Sequence, residues 1–255
     1  MARVLDDYRA LNDPERRRRV ERHGGYFVVE GTFAVEELLR SRYPVRSVLA
    51  STRKEAAVRA LLTRSPRPDV PLLVLPEPDL ADLAGFAFHR GVLAAADRVP
   101  LPDPAALVRD ATRVAVLEGL TDHENLGALF RNAAAFGVDA VLLDATTADP
   151  LYRRAVRVSV GHVLHVPWTR TDDWPAVLAA HGFTTVALTP DPAAVTIDDL
   201  ALDPPGRIAF LLGTEGPGLT SDARKAADVA VRIPIRPGVD SLNVATAAAI
   251  AFHRL

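Results

Sequence analysis

The second half of the chain alternates short, continuously apolar runs with helical stretches, and this alternation constrains the fold more than any other feature. Such runs are typical of strands covered on both faces, as in a parallel sheet. The predicted strands are 113–117, 140–143, 163–166, 184–188, 208–212 and 229–233, and the predicted helices are 126–136, 151–160, 174–181, 220–227 and 242–254. We therefore predict an α/β fold with a mostly parallel sheet and helices on both sides. Ligands bind at the carboxyl ends of such strands, so the loops after Leu117, Leu212 and Ile233 are the candidate site.

The first half reads as a smaller α/β domain. Its predicted strands are 26–31, 45–50, 70–75 and 89–95, and its predicted helices are 14–23, 33–40 and 55–64. Pro100, Pro102 and Pro104 are typical of a semi-rigid linker. We predict a basic N-terminal extension over 1–24, a first domain over 25–97, a linker over 98–110 and a second domain over 111–255.

Composition removes several classes of protein. The chain has no cysteine, which excludes disulfides, thiolate metal sites and cysteine nucleophiles. It has no run of 18 uncharged apolar residues and does not begin like a signal peptide, so we expect a cytoplasmic protein without a membrane span. The spacing of His123, His162 and His165 forms no credible ligand set, and we expect no metal.

Charge is distributed unevenly along the chain. Residues 1–67 carry a net charge of +6, and the remainder carries −8. A basic end suits an anionic partner such as RNA, because phosphates attract cations independently of base sequence. The run Arg16, Arg17, Arg18 and Arg19 is the candidate RNA contact, although such a run is also typical of a solvated helix face.

The first candidate loop leads into a helix that carries Asn125, Gly127 and Arg131. Helical side chains lean toward the helix N-terminus, so Arg131 is expected to project over Gly127 toward the mouth of the loop. The alternative is that Arg131 pairs with a surface carboxylate and that Asn125 or Thr121 merely caps the helix, with Thr121 and Glu124 forming a capping box.

The second and third loops are also candidates for ligand binding. Gly213, Gly216 and Gly218 surround Glu215, and glycines let a backbone approach a ligand closely; a surface acid is the alternative for Glu215. In the third loop Ser241 is a natural N-cap. Asn243 is harder to explain structurally, because asparagine is a poor helix former just inside a helix N-terminus.

These three segments together resemble a known family. Asn125-x-Gly127-x-x-x-Arg131, Gly213-x-Glu215-Gly216-x-Gly218-Leu219, and Ile233-Pro234-Ile235 followed by Ser241-Leu242-Asn243-Val244 look like the three motifs of the SpoU (TrmH-like) RNA ribose 2′-O-methyltransferases of the SPOUT superfamily. Arg157-Val158-Ser159-Val160-Gly161 is similar to a further segment of that family. Val29-Glu30-Gly31 and His89-Arg90-Gly91 resemble the substrate-binding domain, similar to ribosomal protein L30e, that many members carry.

The resemblance implies a SPOUT-type α/β fold with a C-terminal trefoil knot, preceded by an L30e-like domain. It implies transfer of a methyl group from S-adenosylmethionine to a ribose 2′-hydroxyl of structured RNA, ribosomal or transfer. The catalytic set it implies is Arg131, Asn125, Glu215, Ser241 and Asn243, with Arg131 also contacting RNA. The cofactor-binding set is Leu211, Leu212, Gly213, Gly218, Ile233, Ile235, Leu242 and Val244.

The resemblance also implies a homodimer. Ala245, Ala247, Ala248, Ala249 and Ala251 leave the last helix nearly bare of large side chains, so another helix can approach it closely. We expect the contact to include this helix and the one that carries Arg131, although packing within the chain explains part of the pattern equally well.

Two other functions remain alternatives. A non-catalytic RNA-binding protein that retains the fold is the first, and the intact motif residues argue against it. A nicotinamide oxidoreductase would need a glycine fingerprint after the first strand of the second half, and Glu118-Gly119-Leu120-Thr121 is not one.

Overall fold

The computed structural model describes residues 2–13, 15, 25–86, 91–200 and 206–254. The chain divides into two compact units. Unit 1 comprises Met1–Pro100 with Asp149–His165, and unit 2 comprises Leu101–Ala148 with Val166–Leu255. Within the described ranges, no helix is both long and apolar enough to cross a membrane.

The secondary structure follows the predicted alternation. The strands are β1 Tyr26–Glu30, β2 Val45–Ser51, β3 Leu72–Leu75, β4 Val92–Asp97, β5 Arg113–Glu118, β6 Ala140–Leu143, β7 Trp168–Arg170, β8 Phe183–Leu188, β9 Val195–Thr196, β10 Arg207–Gly213 and β11 Val229–Arg232. The helices are α1 Ala2–Leu5, α2 Thr32–Arg40, α3 Glu55–Arg64, α4 Glu77–Ala84, α5 Pro104–Val108, α6 His123–Ala135, α7 Arg153–Val158, α8 Trp174–Ala180, α9 Ser221–Ala226 and α10 Val244–His253.

Unit 1 is built on a four-stranded sheet in the order β1-β4-β2-β3. β4 pairs antiparallel with β1 and β2, and β2 pairs parallel with β3. Tyr8 is fully buried against this sheet, where its hydroxyl donates to the Ser47 carbonyl at 2.8 Å and accepts from the Ala95 amide at 3.1 Å. Burial raises the pKa of Tyr8 far above its usual value. The predicted extension over 1–24 is therefore wrong for its first part, because Tyr8 belongs to the core of unit 1.

Unit 2 contains a fully parallel sheet of seven strands in the order β7-β6-β5-β10-β8-β11-β9. One hydrophobic cluster of its core lies between this sheet and helices α5, α8 and α9, and buried residues of α6 and α10 also contribute to the core. β5 and β10 are neighbours in register, with Leu117 opposite Leu212 and Glu118 opposite Gly213. The first two candidate loops therefore leave the sheet side by side. The expected α/β fold with a mostly parallel sheet is confirmed, and the knot stays a prediction.

One predicted strand is wrong. Residues 162–164 form a 3₁₀ helix rather than part of a strand over 163–166, and the strand of this region is β7. Val163 and Leu164 are buried, so the apolar run indicates burial rather than an extended backbone. The periodicity of a short apolar run does not distinguish a strand from a buried helical turn.

The predicted linker over 98–110 is wrong in its second half, because residues 104–108 form a helix that one of the linker prolines begins. Pro104 is the first residue of α5, Asp103 caps that helix by accepting from the Ala106 amide, and Val108 is fully buried in the core of unit 2. Proline suits a first helical turn, where its missing N–H has no intrahelical acceptor. Pro78 lies in the first turn of α4 in the same way, and this helix was not predicted.

Residues 149–165 extend unit 1 beyond the predicted domain limits. Their helix α7 packs on β1, and Arg153 pairs with the buried Glu30 of that strand at 2.8 Å. The predicted second domain over 111–255 is therefore interrupted, because long-range packing assigns this segment to the N-terminal sheet.

Candidate active site

One hydrogen-bonded chain joins a residue from each of the three candidate loops. Asn125 lies in the first turn of α6 and donates its side-chain amide to the Glu215 carboxylate. The side-chain oxygen of Asn125, Oδ1, accepts a hydrogen bond from the Asn243 side-chain amide at 2.7 Å. These residues are separated by up to 118 positions in the sequence, and the fold brings them together at the carboxyl ends of the strands.

The hydrogen bonds of this series all run in one direction, from the N-terminus of α10 to Glu215. The Ala245 and Thr246 amides donate to the Asn243 side-chain oxygen at 2.9 and 3.2 Å, Asn243 donates to Asn125, and Asn125 donates to Glu215. A helix N-terminus is electropositive, and its amides fix the orientation of the Asn243 side chain. These hydrogen bonds therefore orient the side chains of Asn125, Glu215 and Asn243 relative to one another.

Two helix caps differ from the sequence-based alternatives. Asn243, rather than Ser241, caps α10, and Ser241 is exposed in the loop before it. Asp122, rather than Asn125 or Thr121, caps α6 by accepting from the Glu124 and Asn125 amides. Asn125 is therefore not needed as a cap, and its side chain is available to link the loops.

Glu118 belongs to the same edge of the sheet, and sequence reasoning missed it. Its carboxylate accepts from the Thr220 amide and hydroxyl, both at 2.8 Å, and Thr220 in turn caps α9. Glu118 thus ties the end of β5 to the end of the glycine-rich loop. A lone carboxylate at a strand end carries no distinctive sequence signal.

Asp144, at the end of β6, was also missed. Burial raises the pKa of its carboxyl, but hydrogen bonds from Thr146, Thr147 and the Gly119 backbone outweigh this effect and lower the pKa below its usual value. These bonds hold the turns that follow β5 and β6. We assign Asp144 to that support.

The glycine-rich loop folds back tightly on the strand that precedes it. A Cβ at Gly213 would lie 2.2 Å from the Leu219 nitrogen, so no other residue fits there without moving the loop. Gly216 and Gly218 have positive φ angles of 83° and 72°, and a Cβ on either would meet no atom within 4 Å. The backbone around Gly218 and Leu219 thus packs directly against Gly213, whereas the space beside the Cα atoms of Gly216 and Gly218 is unoccupied by atoms of the other described residues.

Arg131 lies on an exposed part of α6. It follows Asn125 by six residues, about 240° around an ideal helix axis, so the two do not share a helix face. Among the residues that the structure describes, Arg131 has no hydrogen bond or ion pair. The structure thus gives no support to pairing with a surface carboxylate, and it does not bring Arg131 into the Asn125–Glu215–Asn243 chain.

The proposed cofactor-binding residues fall into two groups. Leu211 and Leu212 are buried in the sheet, so only their backbone groups are available to a ligand. The remaining six, Gly213, Gly218, Ile233, Ile235, Leu242 and Val244, are partly exposed at the loops. The Arg16–Arg19 run lies outside the described residues.

Helices α6 and α10 pack along each other within one chain. The Asn132 side-chain amide donates to the Ala245 carbonyl at 2.7 Å, and the Phe136 and His253 rings meet edge to face. Ala245, Ala248 and Ala251 are buried. Part of the alanine-rich pattern therefore serves packing within the chain, while Thr246 and Ile250 remain exposed.

Two protein families match this chain. Residues 112–253 match the SpoU rRNA Methylase family, and residues 28–102 match the family described as RNA 2′-O ribose methyltransferase substrate binding. The chain belongs to the SpoU methylase family. Membership confirms the predicted family and makes this protein an RNA methyltransferase.

Relatives extend over most of the chain. An uncharacterized tRNA/rRNA methyltransferase of Mycobacterium tuberculosis is 46% identical over 253 residues, which cover 98% of this chain and 87% of the relative. A 23S rRNA (guanosine-2′-O-)-methyltransferase of a Burkholderia species is 30% identical over 78% of this chain and 82% of its own. The crystal structure of the SpoU methyltransferase AviRb from Streptomyces viridochromogenes matches with a TM-score of 0.79 and 25% identity, covering 100% of this chain and 96% of that one.

Proposed function

We propose that this SpoU family member transfers the methyl group of S-adenosylmethionine to a ribose 2′-hydroxyl of ribosomal or transfer RNA in the cytoplasm. The observation that carries the proposal is the hydrogen-bonded chain through Asn125, Glu215 and Asn243, which unites one residue of each motif at the carboxyl edge of the sheet. The names of two relatives, a tRNA/rRNA methyltransferase and a 23S rRNA methyltransferase, support the substrate class.

The residues around the glycine-rich loop fit the cofactor. The open space beside Gly216 and Gly218 admits a ligand against the loop backbone. Partly exposed Ile233, Ile235 and Leu242 offer apolar surface for an adenine ring. A crystal structure of AviRb is described as a complex with AdoMet, which agrees with this assignment for the family. When bound, S-adenosylmethionine supplies an electrophilic methyl group on a sulfonium.

Arg131 acts on the RNA. An arginine is effectively never deprotonated in a protein, so it is a poor base. Its guanidinium instead clamps the phosphate beside the target ribose and stabilises the negative charge that develops on the 2′-oxygen. The hydroxyl proton passes to that phosphate or to water, and no metal takes part.

The polar chain positions this chemistry. Glu215, Asn125 and Asn243 orient the nucleotide, and Ser241 contributes its exposed hydroxyl from the same loop. Correct alignment of the two reactants lowers the barrier by several kcal/mol on its own.

The active protein is a homodimer. Thr246 and Ile250 form an exposed face of α10, and this helix packs on the helix that carries Arg131 in the same chain. A second copy that packs on this face covers Ile250, whose side chain is 38% exposed.

A methyl-transfer assay tests the proposal. The full-length protein is incubated with radiolabelled S-adenosylmethionine, EDTA and RNA from cells that lack the gene. We expect label in RNA, and ribose methylation at a single nucleotide that resists alkaline cleavage. RNA that binds but gains no methyl group would favour the non-catalytic alternative, and label on a base would contradict the ribose assignment.

A further inference from the structure

Unit 1 contains a cavity of about 210 Å³ whose walls are rich in arginine. Its lining residues are Asn12, Glu30, Phe86, Tyr152, Arg153, Arg154 and Arg157. Three guanidinium groups face a single carboxylate, so the lining carries a net charge of +2. The volume lies below the roughly 300 Å³ at which pockets for drug-sized ligands begin, so it suits a small anionic group.

Arg153 is held in place by three neighbouring side chains. Arg153 is bonded to Glu30 at 2.8 Å and to the Asn12 side-chain oxygen at 3.0 Å, and its guanidinium lies 4.3 Å from the centre of the Phe86 ring. Burial lowers the pKa of Arg153, and the positive charge of Arg157 adds to this effect although Glu30 opposes it. A site that assembles like charges in this way gains stability when an anion enters.

Arg157 is less tightly held than Arg153. Its guanidinium lies 3.7 Å from the second Glu30 oxygen, beyond hydrogen-bond distance, and its side chain is 32% exposed. The i, i+4 spacing places Arg153 and Arg157 on the same face of α7. Arg157 can therefore reach a ligand while Arg153 keeps the buried Glu30 neutralised.

The segment around Arg157 shows which of its residues the fold itself requires. Ser159 is fully buried and its hydroxyl donates to the Val156 carbonyl at 3.0 Å. Gly161 has a φ of 88°, and a Cβ there would lie 2.7 Å from the Glu37 Cβ. Packing explains Ser159 and Gly161, whereas it does not explain an arginine at position 157.

We propose that this arginine cavity binds a phosphate group, supplied by the backbone of the RNA that the enzyme methylates. The proposal rests on the proposed function for the identity of the RNA. It is favoured because residues 28–102 of the same unit match an RNA substrate-binding family. A guanidinium fork matches the oxygen geometry of phosphate, and the contact is independent of base sequence.

The test compares two charge-removing variants of the full chain. Arg157→Gln removes the accessible cation of the cavity and leaves the Arg153–Glu30 pair intact. Arg59→Gln is the matched control, because Arg59 is an exposed arginine of the same unit that pairs only locally with Glu55 on α3. Thermal melting checks that both variants are folded.

Binding of a fluorescent RNA hairpin is measured over a series of salt concentrations. We expect Arg157→Gln to weaken binding about tenfold and to reduce the salt slope by just under one, as the loss of one phosphate contact predicts, with a much smaller effect of Arg59→Gln. These binding measurements need no methyl transfer, so they succeed or fail independently of the catalytic proposal.

A second arm identifies the source of the phosphate. If inorganic phosphate raises the melting temperature of wild type and Arg59→Gln but not of Arg157→Gln, while RNA binding is equal in all three, the cavity binds free phosphate. Equal RNA binding by both variants together with no stabilisation by phosphate would overturn the proposal.

Discussion

The candidate active site in unit 2 and the arginine cavity in unit 1 differ in how their polar side chains are paired. In unit 2, Asn125, Glu215 and Asn243 satisfy one another in a directed chain that ends on a carboxylate. In unit 1, the described residues that line the arginine cavity include Arg153, Arg154 and Arg157 and one carboxylate, that of Glu30. The first arrangement links three polar side chains to one another, and the lining residues of the second carry an excess of positive charge.

This difference indicates different tasks. Side chains that are hydrogen-bonded to one another move less, which suits the alignment of reacting groups. An excess of positive charge favours binding of an anion and tolerates many RNA sequences. Catalysis and RNA affinity should therefore respond to different substitutions.

The largest effect is expected from Arg131→Ala. Transfer should fall about 10²–10³-fold, because one stabilising charge at the reacting oxygen is lost. Cofactor affinity, measured by calorimetry, should stay nearly unchanged, since the cofactor is assigned to the loop backbones. Arg131→Lys should also fail largely, because a point charge does not reproduce the bidentate fork. Near-normal turnover of the alanine variant would remove Arg131 from the mechanism.

A charge on the exposed face of α10 comes next. Ile250→Arg should weaken the dimer about 100-fold, because a buried unpaired charge at the interface costs about 3 kcal/mol. Transfer should fall with it. Ala226→Arg, on the exposed surface of α9, is the control. Light scattering measures the mass, and a wild type that is monomeric and active at micromolar concentration would disprove the dimer.

Asn243→Ala separates the polar chain from simple helix capping. The variant should lose about 1 kcal/mol of stability with its cap and lower transfer about tenfold, because Asn125 loses its donor. Asp103→Ala removes a comparable cap from α5, remote in sequence from all three motifs. It should cost similar stability in denaturant melts while turnover is kept. Equal turnover losses in the two variants would mean that Asn243 acts only as a cap.

The smallest effect is expected from the N-terminal arginines. Replacing Arg16–Arg19 by serine should weaken RNA binding a few-fold at about 0.1 M salt and flatten its salt dependence, with cofactor binding unchanged. Binding curves at several salt concentrations measure both. An unchanged slope would show that these arginines form a solvated surface.

Local patterns predicted much of the fold. The helix over 55–64 and the strand over 140–143 have their predicted limits, and most other elements agree to within two or three residues. Two kinds of error remain. Pro104 suggested a linker at a point where it begins a helix. The apolar run at Val163 suggested a strand where the backbone turns.

For the candidate site, the motifs predicted which residues meet but not how they meet. Asn125, Glu215 and Asn243 were all predicted to belong to one site, and they lie in one hydrogen-bonded chain. The alternative in which Ser241 caps the last helix was wrong, and Glu118 was missed. Caps depend on where the chain turns, and a turn within a long loop has several equivalent candidates in sequence.

The alternation of strands and helices, the candidate loops and the family were predictable from the sequence, because they depend on local periodicity and short motifs. The burial of Tyr8 in unit 1, the packing of residues 149–165 in the same unit, and the contacts of Arg153 and Arg157 with Glu30 depend on the folded chain. These contacts join residues that are far apart in the sequence. Arg153 and Glu30 are 123 residues apart, and such a pairing is determined by how the chain packs rather than by any local preference.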